Sequence, residues 1–225
     1  MKRITVVLAE DHTVVREGLK ALLETESDLE VVGEAQDGRR AVQMVLSLRP
    51  DVVVMDIAMP LLNGLEATKQ ILKAAPATRV IILSAHGDDE YVEQTEALGA
   101  AGYLVKQTSA HLLSNAIREA HKGKKVFSPV ISKRLADRRQ KWPGRAGDRK
   151  KGLARLSSRE VEVLQLIAEG MANKQAASEL GISVKTIEKH RQNLMSKLEI
   201  HDTAGLTRYA IAAGIIESSV KVIIE

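Results

Sequence analysis

Four apolar runs of this chain end on polar residues that could do chemistry together. Glu10 and Asp11 follow ITVVLA, Asp56 follows DVVVM, Ser84 lies near the end of RVIILSA, and Lys106 closes AGYLVK. Carboxylates gathered within a few ångströms repel one another by about 4 kcal/mol per close pair at an effective dielectric near 20, so such a group needs a cation. Oxygen ligands alone favour a hard ion, and Mg²⁺ commonly takes one or two carboxylates, several waters and a phosphate. An ionised aspartate beside that ion can attack phosphorus and form an acyl phosphate. Phosphoryl transfer needs mainly charge neutralisation and in-line positioning, which a metal, the Lys106 ammonium and the Ser84 hydroxyl can supply. The expectation is a Mg²⁺-dependent phosphoryl acceptor at Asp56.

Those residues meet only if the strands carrying them run parallel. Five short runs read as strands: 4–9, 29–35, 51–55, 79–85 and 101–106. Amphipathic segments lie between them, such as Val15, Leu19 and Leu22, or Leu112, Ala116, Ile117 and Ala120, spaced by three and four. Strand alternating with helix predicts an α/β domain with a five-stranded parallel sheet covered on both faces. In a doubly wound sheet, residues past the carboxyl ends of the strands collect on one edge, where ligands bind.

Charge divides the chain into three. Residues 1–121 carry 12 basic and 18 acidic side chains, residues 122–155 carry 13 and 2, and residues 156–225 carry 8 and 9. An acidic part and a nearly neutral part are thus joined by a strongly basic stretch, which reads as a linker. We place a first domain over 1–121, a linker over 122–154 and a second domain over 155–225. Within the linker, SPVISKRLADRRQ predicts one short helix with Ser128 as N-cap and Pro129 at its first position. The absence of cysteine excludes a disulfide framework, a thiolate nucleophile and a thiolate zinc site. The apolar stretch at the amino terminus is too short for a signal peptide, and no window is long enough to span a bilayer, so a cytoplasmic protein is expected.

From residue 156 the periodicity is helical only. LSSREVEVLQLIAEG opens with a capping box, Ser157 to Glu160, and a staple pairing Leu156 with Val161. NKQAASELG, SVKTIEKHRQNLMSKL (183–198) and DTAGLTRYAIAAG (202–214) complete a four-helix domain, and the short connection at Gly181 to Ser183 fits a helix-turn-helix. On the third helix Ile187, Leu194 and Leu198 form a narrow core stripe. Lys185, Glu188, Lys189, Gln192 and Ser196 lie opposite, where a recognition helix offers side chains to a major groove. Geometry allows Lys189 to read guanine, Gln192 adenine and Glu188 cytosine. Lys174, Thr186, His190, Asn193 and Lys197 could hold phosphates, and Arg191, nearer the apolar stripe, is expected to snorkel.

The stretches LAED, DVVVMDIAMPLLNG, ILSAHG and YLVK resemble the receiver domain of two-component response regulators, which has a flavodoxin-like fold. The helical part from 155 to 216 is similar to the LuxR-type helix-turn-helix, and the pair together resembles the NarL/FixJ group. The resemblance implies that Glu10, Asp11 and Asp56 hold Mg²⁺ with the backbone carbonyl of Ala58, that Asp56 is phosphorylated by a sensor histidine kinase, and that Ser84 and Tyr103 form the switch with Lys106 as phosphate sensor. It also implies double-stranded DNA as a partner and a homodimer on DNA formed through the fourth helix. Gln107 departs from the family, standing where proline is usual after a cis peptide. In mechanism, phosphorylation of Asp56 is expected to draw Ser84 and then Tyr103 inward and so to free or pair the C-terminal helices. The competing reading is an aspartate-nucleophile phosphatase; that chemistry needs an acid/base aspartate two residues beyond Asp56, where this chain has Ala58.

Overall fold

The computed structural model describes residues 3–85, 89–106, 110–128, 131–132 and 156–216. The chain falls into two compact units that divide between Arg145 and Ala146. In the first, strands β1 (Ile4–Ala9), β2 (Leu29–Ala35), β3 (Val52–Asp56), β4 (Arg79–Ser84) and β5 (Gly102–Val105) alternate with helices α1 (Thr13–Glu24), α2 (Gly38–Leu48), α3 (Gly64–Ala74), α4 (Asp89–Leu98) and α5 (Ala110–His121). All strand pairs are parallel, in the order β2-β1-β3-β4-β5 followed by a sixth strand, β6 (Val126–Phe127).

The strands carry almost no polar alternation because both faces of the sheet are buried. Val7, Val53, Val80, Ile82 and Tyr103 pack on one face with α2 and α3 residues such as Val45 and Ile71. Val6, Val52, Val54, Ile81 and Leu104 pack on the other with Leu23 of α1 and Leu113 and Ile117 of α5. Helices therefore lie on both sides, and β1 and β3 are neighbours whose following helices go to opposite faces. That places the switch point of the winding between the strands that carry Glu10 and Asp56.

The sequence suggested five strands; the sixth is the difference. Val126 and Phe127 pair with Gly102 and Tyr103. The approach is so close that a Cβ on Gly102 would lie 2.2 Å from the Val126 carbonyl oxygen, so only glycine admits this strand. The Ser128 amide then donates to the Tyr103 carbonyl at 3.1 Å, and Ile131 joins the core. The sheet thus continues past residue 121 into the start of the basic stretch. The helix expected from Ser128 has Ile131 and Ser132 in helical conformation, with Ser132 N donating to Ser128 O at 2.9 Å; its remainder, and Gln107, lie outside the described residues.

The second unit holds, among its described residues, α6 (Ser158–Ala168), α7 (Asn173–Leu180), α8 (Val184–Leu198) and α9 (Thr203–Ala212). The capping box forms as expected: Glu160 N bonds Ser157 Oγ and Ser157 N donates to Glu160 Oε2 at 2.8 Å. Leu156 and Val161 are both buried. Gly181 closes α7 in the left-handed region, Ser183 caps α8 by accepting from Thr186 N, and Asp202 caps α9 by accepting from Gly205 N. α8 ends less well. Exposed Glu199 sits at φ 57°, a conformation that disfavours any side chain, and brings a negative charge to the carbonyl end of the helix dipole. Glu199→Gly removes both costs and is expected to stabilise this unit by about 1 kcal/mol, read as a higher urea midpoint with an unchanged slope.

Candidate functional site

The carboxyl ends of β1, β3, β4 and β5 bring Glu10, Asp56, Ser84 and Lys106 to one rim. Glu10 is held by its amide, which donates to Ala35 O at 2.9 Å. Asp56 is the last residue of β3 and its Oδ1 accepts from the Ile57 amide at 2.8 Å. The loop beyond is braced by Gly64 N donating to Ile57 O at 2.8 Å. Lys106 Nζ lies 2.8 Å from Glu10 Oε2 and 2.9 Å from Asp56 Oδ2, bridging the two buried carboxylates. Ligand atoms of Glu10, Asp11, His12 and Asp56 all fall within 4.8 Å of one another. Ser84 is buried and its carbonyl accepts from Lys106 N at 2.7 Å, Tyr103 is fully buried in the core, and Ala58 is half-buried in the loop.

Electrostatics at the rim is unbalanced. Among the described residues three carboxylates face one ammonium: buried Glu10 Oε2 and Asp56 Oδ2 share Lys106, and buried Asp11 Oδ1 lies 2.9 Å from the His12 ring. Burial first, and the Glu10 charge second, push the Asp56 carboxyl from the ordinary 3.8 up to about 6, against the opposing pull of Lys106. Burial works against the Lys106 ammonium, yet Glu10 and Asp56 together carry its pKa above the ordinary lysine value. The Asp11 charge raises His12. A hard divalent cation fits this donor set, which offers oxygen atoms and an excess of negative charge.

In the second unit Ile187 and Leu194 of α8 are fully buried and Leu198 is half-buried, as the stripe required. Lys185, Glu188, Lys189, Gln192, Asn193 and Ser196 are exposed, as is Lys174 on α7, while Thr186 and His190 are half-buried. Two side chains differ from expectation. Arg191 does not snorkel: it donates to Asn173 Oδ1 at 3.4 Å and to Thr203 Oγ1 at 2.5 Å, tying α8 to α7 and α9. Lys197 Nζ sits 2.7 Å from the buried Glu160. Burial alone would raise the Glu160 carboxyl, but Lys197 and the Ser157 donors outweigh it and hold its pKa below the usual range.

Comparison with known proteins bears on both units. Residues 6–118 match the response regulator receiver domain, and residues 154–210 match the bacterial regulatory proteins of the luxR family. The chain is 40% identical over 208 residues to the transcriptional regulatory protein LiaR of Bacillus subtilis strain 168, covering 92% of this chain and 96% of LiaR. The chain belongs to the response regulators. Within them it has the NarL/FixJ arrangement, a receiver joined to a LuxR-type DNA-binding domain, and it is a transcriptional regulator of a two-component system. It is also 36% identical over 214 residues to the response regulator protein VraR of Staphylococcus aureus (strain Mu3 / ATCC 700698), covering 95% of this chain and 99% of VraR. A solved structure of two RcsB dimers bound to two parallel DNAs matches at 28% identity with a TM-score of 0.56, over 92% of this chain and 98% of that one.

The response regulator's rim also contains residues that its sequence did not single out. His12, the N-cap residue of α1, places Nδ1 2.9 Å from Asp11 Oδ1 and 3.1 Å from Glu10 Oε1. Its adjacency to the acidic pair was the available signal. Arg16, one turn into α1, donates to the Glu10 carbonyl at 2.7 Å; nothing in a single arginine on an amphipathic helix announces that. Among the described residues of this response regulator, no helix is long and apolar enough to cross a membrane.

Proposed function

We propose that Asp56 is the phosphoryl acceptor and that a sensor histidine kinase is the donor. The observation that carries this is the position of Asp56: a buried carboxylate at the switch point of a parallel sheet, 2.9 Å from Lys106, within a rim of excess negative charge. Glu10, Asp11, Asp56 and the Ala58 carbonyl would hold Mg²⁺, which supplies neutralisation of the phosphoryl oxygens. An ionised Asp56 oxygen attacks phosphorus, the bond to the kinase imidazole nitrogen breaks, and that nitrogen leaves with the electron pair. Lys106, already bridging Glu10 and Asp56, shifts part of its charge to the new phosphoryl oxygens, and Ser84 donates to one of them. Tyr103 is already fully buried, so phosphorylation holds it where it lies instead of drawing it in.

The output is DNA binding by α8. Lys189, Gln192 and Glu188 read base edges, while Lys185, Lys174, Thr186, His190 and Asn193 set register on the phosphates. Lys197, committed to Glu160, serves the fold in this reading. The regulator acts in the cytoplasm and binds DNA as a homodimer, in line with the RcsB dimers seen on DNA. Receiver chemistry stops at one equivalent of phosphate, since Ala58 supplies no acid for turnover. Acetyl phosphate with Mg²⁺ is expected to label the wild type once per chain and to protect paired half-sites about 10 base pairs apart in footprinting. Asp56→Asn is expected to lose both the label and the phosphate-dependent protection; a labelled Asp56→Asn protein refutes the assignment, and sustained phosphate release from esters would restore the phosphatase reading.

A further inference from the structure

The turn between β1 and α1 carries the two acids proposed to hold the cation, and one side chain grips it from beneath. Arg16 is largely buried and spans from β2 to this turn. Its Nη1 donates to the Glu10 carbonyl at 2.7 Å and lies 3.5 Å from the Asp11 carbonyl; its Nη2 reaches Thr13 Oγ1 at 3.5 Å. Its Nε stands 3.6 Å from Glu34 Oε2 on β2, and Lys20 holds the other oxygen of Glu34 at 2.7 Å. Leu8, two residues before Glu10, pairs in register with Glu34, so the sheet fixes the far end of the clamp.

We propose that Arg16 is a positioning residue for the divalent-cation site, aligning the Glu10 and Asp11 carboxylates by holding their backbone carbonyls while Glu34 aims its guanidinium. The inference rests on the proposed reading of the rim as a Mg²⁺ site. Groups that orient metal ligands without touching the ion commonly contribute 10–100-fold in affinity. The clamp also has a signature that separates it from simple charge. Arg16 is a cation near a site for a dication, and Glu34 is already shared with Lys20. Removing its charge alone would make Mg²⁺ bind more tightly, whereas releasing the turn makes it bind more weakly. The two effects have opposite signs.

The test measures Mg²⁺ binding to the full chain in two ways: the rise in melting temperature with Mg²⁺ concentration after chelator treatment, and the Mg²⁺ concentration giving half-maximal labelling by acetyl phosphate. Arg16→Gln is expected to raise both half-saturation values about tenfold, more than it lowers the labelling rate at saturating Mg²⁺. Arg16→Lys, which keeps the charge but loses the fork, is expected to fall between. The charge-balanced pair Lys20→Gln with Glu34→Gln, which keeps every Arg16 donor and the net charge but removes the aim, is expected to weaken Mg²⁺ about threefold and serves if Arg16→Gln does not fold. Half-saturation values unchanged within twofold, or lower than wild type, in Arg16→Gln overturn the proposal; if that variant does not fold, values unchanged within twofold in the paired Lys20→Gln, Glu34→Gln variant do so. If the wild type itself shows no Mg²⁺-dependent rise, the reading of the rim fails instead.

Discussion

Asp56→Asn is expected to make the receiver more stable than wild type by about 3 kcal/mol at pH 8 and by only about 0.5 kcal/mol at pH 4, in chelator. The Asp56 carboxyl has its pKa raised from 3.8 to about 6 in the folded protein. Between those values the native state keeps a proton that the unfolded chain has released. Stability therefore falls as pH rises through this window, and above it the full cost of an ionised, buried carboxylate is present. Asparagine keeps the shape and never ionises. Because Asp56 is almost wholly buried, solvent screening does not discount the effect. Urea unfolding of both proteins from pH 4 to pH 8 checks it: a difference that does not grow with pH would show that the rim tolerates the charge. Added Mg²⁺ is expected to narrow the gap, since it binds the wild type better than the variant.

Gly64→Ala is expected to cost at least about 3 kcal/mol, at the upper end of overpacking, and to impair labelling of Asp56 as well. Alanine normally improves a helix, and Gly64 is not among the positive-φ glycines, so its conformation gives no reason to avoid a side chain. Contact decides instead. A Cβ there would lie 1.8 Å from the Asp56 carbonyl oxygen and 2.8 Å from its carbon, both backbone atoms that cannot swing aside. Either the end of β3 or the start of α3 must shift, and the moved carbonyl belongs to the proposed phosphoacceptor. Gly18→Ala is the control: among the described residues nothing lies within 4 Å of a Cβ placed there, on the exposed side of α1, and a gain of about 0.5–1 kcal/mol is expected. Equal melting temperatures for Gly64→Ala and wild type would show that α3 does not pack so tightly.

Much of this was legible before any coordinates. Runs such as VVVMD are apolar on both faces, which is what a central parallel strand demands, and their polar ends name the rim. Helix ends were legible because Ser157, Gly181, Ser183 and Asp202 act through their immediate neighbours. What escaped was tertiary. Val126 and Phe127 are two apolar residues behind a run of lysines, and their strand exists because Gly102, 24 positions earlier, leaves room. His12 and Arg16 contribute through distances across a turn, and Arg191 and Lys197 through partners on other helices. Residue type alone does not encode those.

The sixth strand has a mechanical consequence. The backbone leaving the sheet toward the basic stretch is tethered at the Ser128 amide to the carbonyl of Tyr103 itself. A displacement of that tyrosine's main chain is therefore felt at Ser128, through this hydrogen bond and through the pairing of Val126 and Phe127 with Gly102 and Tyr103.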